Sequence, residues 1–396
     1  MFYIQDGRFS QSLTTHEAIL TAATSAHNDV DYGAGVFAFA TAGGASLVFE
    51  DQVLNNFLAN NTFTLIVGID DITNTITLEK LKELSDLNPN LDVKVFCHSD
   101  SGSLFHPKFI WFKIDGEIRL ITGSGNLTEK GLRRNREAFT NNYLTHNELR
   151  NFEDYWNFWL SENADNLRDL DDEEVVRKAA KNAIKFLRTR KLETELRVDV
   201  SEAMGETERE TADTENPVAP PEDNQSDVPE LIETEDYEAW TIEDNPEVLV
   251  AEIPNSSDRW KQANFNQATF ESFFGGIAGV NEERRILLRH VGTTGILEEL
   301  EVRPTISVRS KNYRVELKAA GGLNYPDGDS RPISIFIKIA TRSFIYSLVM
   351  PEDVIYNEIL IYLNNYQPRV GNRMRRYLTD VEELRENCPN LNFWLI

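Results

Sequence analysis

The chain has 396 residues, a formal net charge of −25, 41% hydrophobic and 27% charged residues, and two cysteines. That length allows two domains with full cores, while Cys97 and Cys388 are too few and too far apart for a disulfide scaffold or a zinc motif, so a reducing cytoplasm is expected. No run of about 18 apolar residues occurs, and Met1-Phe2-Tyr3-Ile4-Gln5-Asp6 lacks the basic and apolar pattern of a signal peptide, which argues against a membrane protein.

Thr14-Thr15-His16-Glu17 opens an Ala-rich helix to about His27, with Thr14 or Thr15 as its cap. Residues 35–39, 63–67 and 93–97 then read as strands, and residues 47–58 and 78–87 as helices. Continuous apolar strands alternating with helices predict an α/β domain with a mixed, largely parallel sheet flanked by helices. Two local patterns are set aside. Gly33-x-Gly35-x-x-Ala38 precedes a strand instead of joining a strand to a helix, and Asp70-Asp71 has no third metal ligand nearby.

The most informative stretch is Phe105-His106-Pro107-Lys108-Phe109-Ile110-Trp111-Phe112-Lys113-Ile114, then Asp115-Gly116, then Glu117-Ile118-Arg119-Leu120-Ile121-Thr122-Gly123-Ser124-Gly125-Asn126. Two β-branched and aromatic runs joined by Asp-Gly predict a hairpin with Ile114 opposite Glu117. Counting outward sets Lys108 opposite Gly123 and His106 opposite Gly125, with both chemical side chains on one face and open space across from them. Ser124 and Asn126 lie where the second strand runs out, and residues 127–132 begin a helical turn. An imidazole, an ammonium, a carboxamide and early-helix N–H groups suit a phosphate, and the imidazole can also attack it.

Taken together, His106-x-Lys108, Gly123-Ser124-x-Asn126, Gly131-Leu132 and Asn135-x-Glu137 resemble the HKD motif of the phospholipase D superfamily. Lys113 replaces the Asp usual five positions after the Lys, a gap shared by that superfamily's restriction-endonuclease branch, the BfiI-type enzymes. The resemblance implies DNA cleavage without metal or other cofactor, one motif per chain, and a homodimer in which two imidazoles share one phosphate. One imidazole would form a phosphohistidine and the other would protonate the leaving oxygen. Lys108, Asn126 and Ser124 would hold the phosphate, and Glu137 would orient the His106 tautomer. His290 is followed by Val291-Gly292 with no Lys at the needed spacing, so the second half holds no further motif.

Residues 139–144 complete the sheet, and helices follow at 148–159 and 173–192. The acidity of the chain is then concentrated: residues 192–258 hold 22 Asp and Glu against Arg197 and Arg209, whereas residues 1–191 carry −7 and residues 259–396 carry +2. With almost no large apolar residue before Leu231, residues 200–245 cannot offset their ordering entropy, so a disordered or extended tether is expected. A sharper alternative is that its carboxylates mimic DNA in a basic cleft.

Short strands at 248–250, 285–288, 313–317, 333–339 and 344–349 predict a mainly β barrel or sandwich. Between them, Arg259, Lys261, Gln262 and Asn264, and Arg309, Ser310, Lys311, Asn312 and Arg314, mix guanidinium, ammonium, hydroxyl and amide groups of the kind that read double-stranded DNA. This half is similar to the B-three-like DNA-binding pseudobarrel fused to the nuclease in the same branch, including the NgoAVII-type enzymes. The expected organisation is a phospholipase D-like catalytic domain over 1–192, an acidic linker over 193–240 and a DNA-recognition domain over 241–396.

The resulting expectation is a cytoplasmic restriction-type endonuclease of phage defence, working beside a modification methyltransferase and an ATP-driven translocase or helicase. No Gly-x-x-x-x-Gly-Lys loop is present, so ATP use would belong to another chain. Two other readings stand beside it. One is a DNA-binding defence subunit whose phosphodiesterase site is inert or partner-activated. The other is a metal-dependent nuclease on Glu316-x-Lys318, for which Asp258 is remote and Glu299 and Glu301 are expected on a polar turn.

Overall fold

The computed structural model describes residues 1–24, 32–99, 102–114, 116–185, 240–242, 245–253, 262–280, 284–308, 312–326 and 330–396. The first part runs β1 (Phe2–Gln5), α1 (Thr15–Ala23), β2 (Tyr32–Phe37), α2 (Ala42–Phe49), α3 (Gln52–Leu58), β3 (Thr62–Gly68), α4 (Thr75–Leu87) and β4 (Leu91–Phe96). It continues with β5 (Lys108–Ile114), β6 (Glu117–Gly123), β7 (Glu137–Leu144), α5 (His146–Glu162), β8 (Leu167–Arg168) and α6 (residues 173–185).

Local chemistry sets the helix boundaries. Of the two expected caps, Thr14 is the one used, and it closes a capping box with Glu17 on α1, each side chain accepting from the other's backbone N–H. The single helix expected over 47–58 is two, because Asp51 caps a new start by accepting from Val53 N at 2.9 Å.

The eight strands form one sheet in the order β1-β7-β6-β5-β2-β3-β4-β8. Only β2–β3 and β3–β4 pair in parallel, and the other five pairings are antiparallel, which corrects the expectation of a largely parallel sheet. Continuous apolar runs report burial on both faces, not strand direction. Within β5, Ile110, Trp111 and Phe112 are at most 1% exposed, yet the strand is antiparallel to both neighbours. On one face Ile110 and Phe112 pack into the core shared with α1 to α4; on the other, Trp111 meets Phe152 and Trp156 of α5.

The second part comprises β9 (Glu247–Glu252), β10 (Gln262–Phe265), α7 (Gln267–Ser272), β11 (Arg285–His290), β12 (Glu301–Pro304), β13 (Ile306–Val308) and β14 (Asn312–Glu316). After these come β15 (Ile333–Ala340), β16 (Ser343–Val349), α8 (Tyr356–Tyr366), β17 (Arg376–Asp380) and α9 (Val381–Asn387). The expected pseudobarrel is corrected: the described strands form two open sheets, β12-β11-β16-β15-β9-β17 and β10-β14-β13. Regular short strands predict many pairings but not closure, and here β12 and β17 remain edges. The sandwich alternative is nearer. Leu249, Phe336 and Phe344 of the large sheet share a core with Phe265 and Val315 of the small one, and Val250, Ile335 and Ile345 on the other face pack with Ile359, Leu363 and Leu384 of α8 and α9.

The two parts meet along a buried charged seam. Arg342 Nε donates to Glu17 Oε1 at 2.9 Å, Arg285 Nε to Asp51 Oδ2 at 2.8 Å, and the buried Arg133 guanidinium to the Arg285 carbonyl at 2.7 Å. Trp240 is buried between the guanidiniums of Arg134 and Arg289, each 5.3 Å from its ring centre. The linker expected over 193–240 lies outside the described residues except for Trp240. Among the described residues, no helix is long and apolar enough to cross a membrane, and Cys97 and Cys388 are buried free thiols.

Candidate active site

The hairpin keeps its predicted register from Ile114↔Glu117 to Phe109↔Thr122, with Gly116 in its turn; Asp115 lies outside the described residues. There the pairing stops. His106 therefore enters from the loop before β5, not from a strand opposite Gly125, as expected where Pro107 supplies no N–H to a ladder. The open space inferred across from it is also corrected. A Cβ on Gly123 would lie 2.7 Å from Phe139 Cβ, and one on Gly125 would lie 2.8 Å from the Gly131 carbonyl. These glycines let β7 and the loop pack closely; they do not open a ligand space.

His106 and Lys108 nevertheless come together. Lys108 Nζ lies 3.0 Å from both ring nitrogens of His106 and donates to its carbonyl at 3.1 Å. Loss of hydration holds the Lys108 ammonium below the ordinary lysine pKa, and the Glu137 carboxylate opposes that shift. Glu137 is thus in electrostatic contact with the pair, although its hydrogen bonds run elsewhere: one oxygen accepts from Ser124 Oγ and the other from Asn135 Nδ2 at 3.1 Å. Within one chain it fixes the Gly-Ser-x-Asn loop, not the His106 tautomer. Asn126 has a buried side-chain oxygen without a hydrogen-bond partner; that atom is an acceptor and cannot meet a phosphate oxygen, so a phosphate bond from this residue would come from its Nδ2 donor.

Asp70 has a structural part that its sequence neighbours do not reveal. Its Oδ2 accepts from Phe105 N at 3.2 Å and lies 3.3 Å from His98 Nε2, so it anchors the segment that delivers His106. The neighbouring Asp71 pairs with Lys185 at 2.6 Å. Lys113, standing where the HKD pattern carries Asp, donates to Glu153 Oε1 at 2.7 Å and so ties α5 to β5.

No family model and no curated protein matches the chain. Solved structures do. It is similar to the N-terminal domain of Helicobacter pylori LlaJI.R1, at 13% identity and TM-score 0.25 over 34% of this chain and 97% of that one. Nuc, a phospholipase D family member from Salmonella typhimurium, matches at 14% identity and TM-score 0.29 over 43% of this chain and 98% of its own. NucT from Helicobacter pylori matches at 12% identity and TM-score 0.29 over the same shares.

Of the candidate DNA-reading residues, Arg259, Lys261, Arg309, Ser310 and Lys311 lie outside the described residues, and Gln262 and Asn312 are described only as backbone of β10 and β14. Asn264 and Arg314 are directly paired across these strands, half-buried, in register positions that alternate with the core residues Ala263, Phe265 and Val315. They therefore share the outer face of the small sheet. Glu316-x-Lys318 is closer to other acids than its spacing suggested. Lys318 Nζ donates to Glu299 at 2.8 Å, and Glu301 begins a strand instead of lying on a turn. The Glu301 carboxylate already accepts from Arg303, Tyr346 and the Lys318 N–H, so structural bonds occupy it.

Proposed function

We propose that this chain is a metal-independent DNA endonuclease of the phospholipase D superfamily, of restriction type, whose single phosphohistidine-forming site is completed by a second copy of the chain. The observation that carries this reading is the Lys108 ammonium 3.0 Å from the His106 ring at the foot of the hairpin, within electrostatic reach of Glu137, whose carboxylate bonds the exposed Ser124 of the neighbouring loop. Phosphodiester hydrolysis needs a nucleophile, a proton for the leaving oxygen and donors for the nonbridging oxygens.

In the proposed cycle a ring nitrogen of His106 attacks phosphorus, the bond to the leaving oxygen breaks, and the partner's His106 gives that oxygen its proton. Water then attacks phosphorus while the partner's His106 takes a proton from it. The N–P bond breaks and both imidazoles return to their starting states. Lys108 and Asn126 Nδ2 hold the nonbridging oxygens throughout, and Ser124 joins them when its O–H, bonded to Glu137 in the free chain, turns to the phosphate. Residues 241–396 would recognise double-stranded DNA, with Asn264 and Arg314 as adjacent contacts. Residues 193–240 would tether that unit to the catalytic one. The protein would act in the cytoplasm, with a modification methyltransferase and an ATP-driven translocase or helicase supplied by other chains.

The test is supercoiled plasmid incubated with purified protein in EDTA. Nicking is expected, and His106→Ala should lower it on the order of 10³-fold or more while DNA binding persists. A requirement for divalent metal, or appreciable nicking by His106→Ala, would refute the assignment. A folded, DNA-binding wild type that never nicks would favour the inert or partner-activated subunit.

A further inference from the structure

His106 also lines a cavity of about 610 Å³ between the sheet and α5, within the range of small-molecule sites. Its walls are aromatic: Phe105, Phe109, Phe152, Tyr155, Trp156 and Trp159. Several of these rings are already arranged as stacks. Phe96 and Phe105 lie 3.9 Å apart and 10° from parallel, and Trp156 and Trp159 lie 5.7 Å apart at 17°. Lys113, bonded to Glu153, and Asp70, bonded to Phe105 N, hold the two walls in place. Asn163, Asn166 and His98 line the same cavity. Asn163 Nδ2 already donates to the Trp159 carbonyl at 2.9 Å and His98 is bonded to Asp70, so what the cavity offers a ligand is its ring faces, which stack on a heterocyclic base.

We propose that this aromatic cleft is a nucleobase subsite: a base flanking the scissile phosphate leaves its stack and inserts between α5 and the sheet. The subsite rests on the phosphodiesterase reading above and names what that site grips besides phosphate. Because Phe105 directly precedes His106 and both line the cavity, a phosphate at His106 brings its own nucleoside to the cleft mouth. Stacking on such rings is sequence-tolerant and contributes on the order of tenfold or more in affinity per base. In a duplex the base must first unpair, so unpaired or mismatched positions are cut in preference to fully paired ones.

The test uses the full chain carrying His106→Ala, which binds without cutting, and a short single-stranded oligonucleotide containing 2-aminopurine, whose emission falls on stacking. Binding should quench the probe, and adding Trp159→Ala should weaken affinity on the order of tenfold. Trp159 is half-buried, so Tyr155→Ala, at a position 68% exposed, provides a second variant that keeps the core intact. Neither variant should change affinity for the same oligonucleotide with abasic sites in place of 2-aminopurine. Absence of quenching in the parent, or equal losses on the base-bearing and abasic strands, overturns the subsite. Plasmid nicking by the wild type reports separately on the phosphodiesterase reading, so the two can fail independently. Hydrolysis of short-chain phosphatidylcholine by the wild type that disappears with Trp159→Ala would assign the cleft to an acyl chain and also overturn it.

Discussion

At the scale of single residues, Lys108 should set the alkaline limit of activity. Its ammonium is partly desolvated and so loses its proton at lower pH than an exposed lysine, with Glu137 only partly restoring the charged form. A phosphate needs that charge, so kcat/KM should fall as pH rises through a value below the ordinary lysine range. Arginine stays protonated throughout, so Lys108→Arg should flatten the alkaline limb while lowering the plateau, because a planar fork replaces a point charge. Rate–pH profiles on an oligonucleotide decide it: an alkaline limb that does not move in the Arg variant would assign the titration elsewhere. The pairing of His106 with Lys108 was legible in the sequence because two residues so close along the chain can bring an ammonium to an imidazole even where, as here, His106 lies in the loop before β5. Asp70 was not, since its bond to Phe105 N joins residues 35 apart and exists only once β3 and the β5 approach are side by side. Glu137 was legible as a participant but not in its role, because its bonds to Ser124 and Asn135 depend on how tightly the loop turns.

At the scale of elements, strand direction was readable only where a connection declares it. Strand–helix alternation correctly made β2, β3 and β4 parallel and the Asp-Gly turn made β5 and β6 antiparallel, whereas the antiparallel joins of β5 to β2 and of β7 to β1 had no such local signal. Helix α1 shows what periodicity leaves out: its capping residue Glu17 also holds the other part of the chain through Arg342. Burial alone would raise the Glu17 carboxyl, but the guanidiniums of Arg342, Arg133 and Arg284 outweigh it and hold the pKa at about 2, below its ordinary 4.5. A depressed carboxyl contributes its stability above the ordinary value and loses it as pH falls from about 4.5 towards about 2. Glu17→Gln removes that carboxylate while Arg133 and Arg342 remain buried, so denaturant titration at neutral pH should show a loss of about 3–5 kcal/mol. The gap between variant and wild type should close on acidification through that window. A gap that stays constant with pH would mean Glu17 acts through its capping bond alone.

At the scale of the whole molecule, among the described residues one chain sets a single imidazole, His106, beside Lys108, while the proposed cycle uses one to attack and another to protonate. A shared site has a signature that a self-sufficient chain lacks. If wild-type and His106→Ala chains are mixed and allowed to exchange, dimers containing one altered chain lack either the nucleophile or the acid. Activity should then fall as the square of the wild-type fraction, because only dimers of two wild-type chains retain both groups. If each chain cleaves by itself, the altered chain only dilutes the enzyme and activity falls in direct proportion. The Glu17–Arg342 bond, to which His106 contributes no hydrogen bond, joins the two parts of each chain in wild-type and altered copies alike. Nicking rates across a series of mixing ratios, with exchange verified by differently sized tags, separate a parabola from a straight line. A straight line would leave His106 as nucleophile but require the leaving-group proton to come from within the same chain.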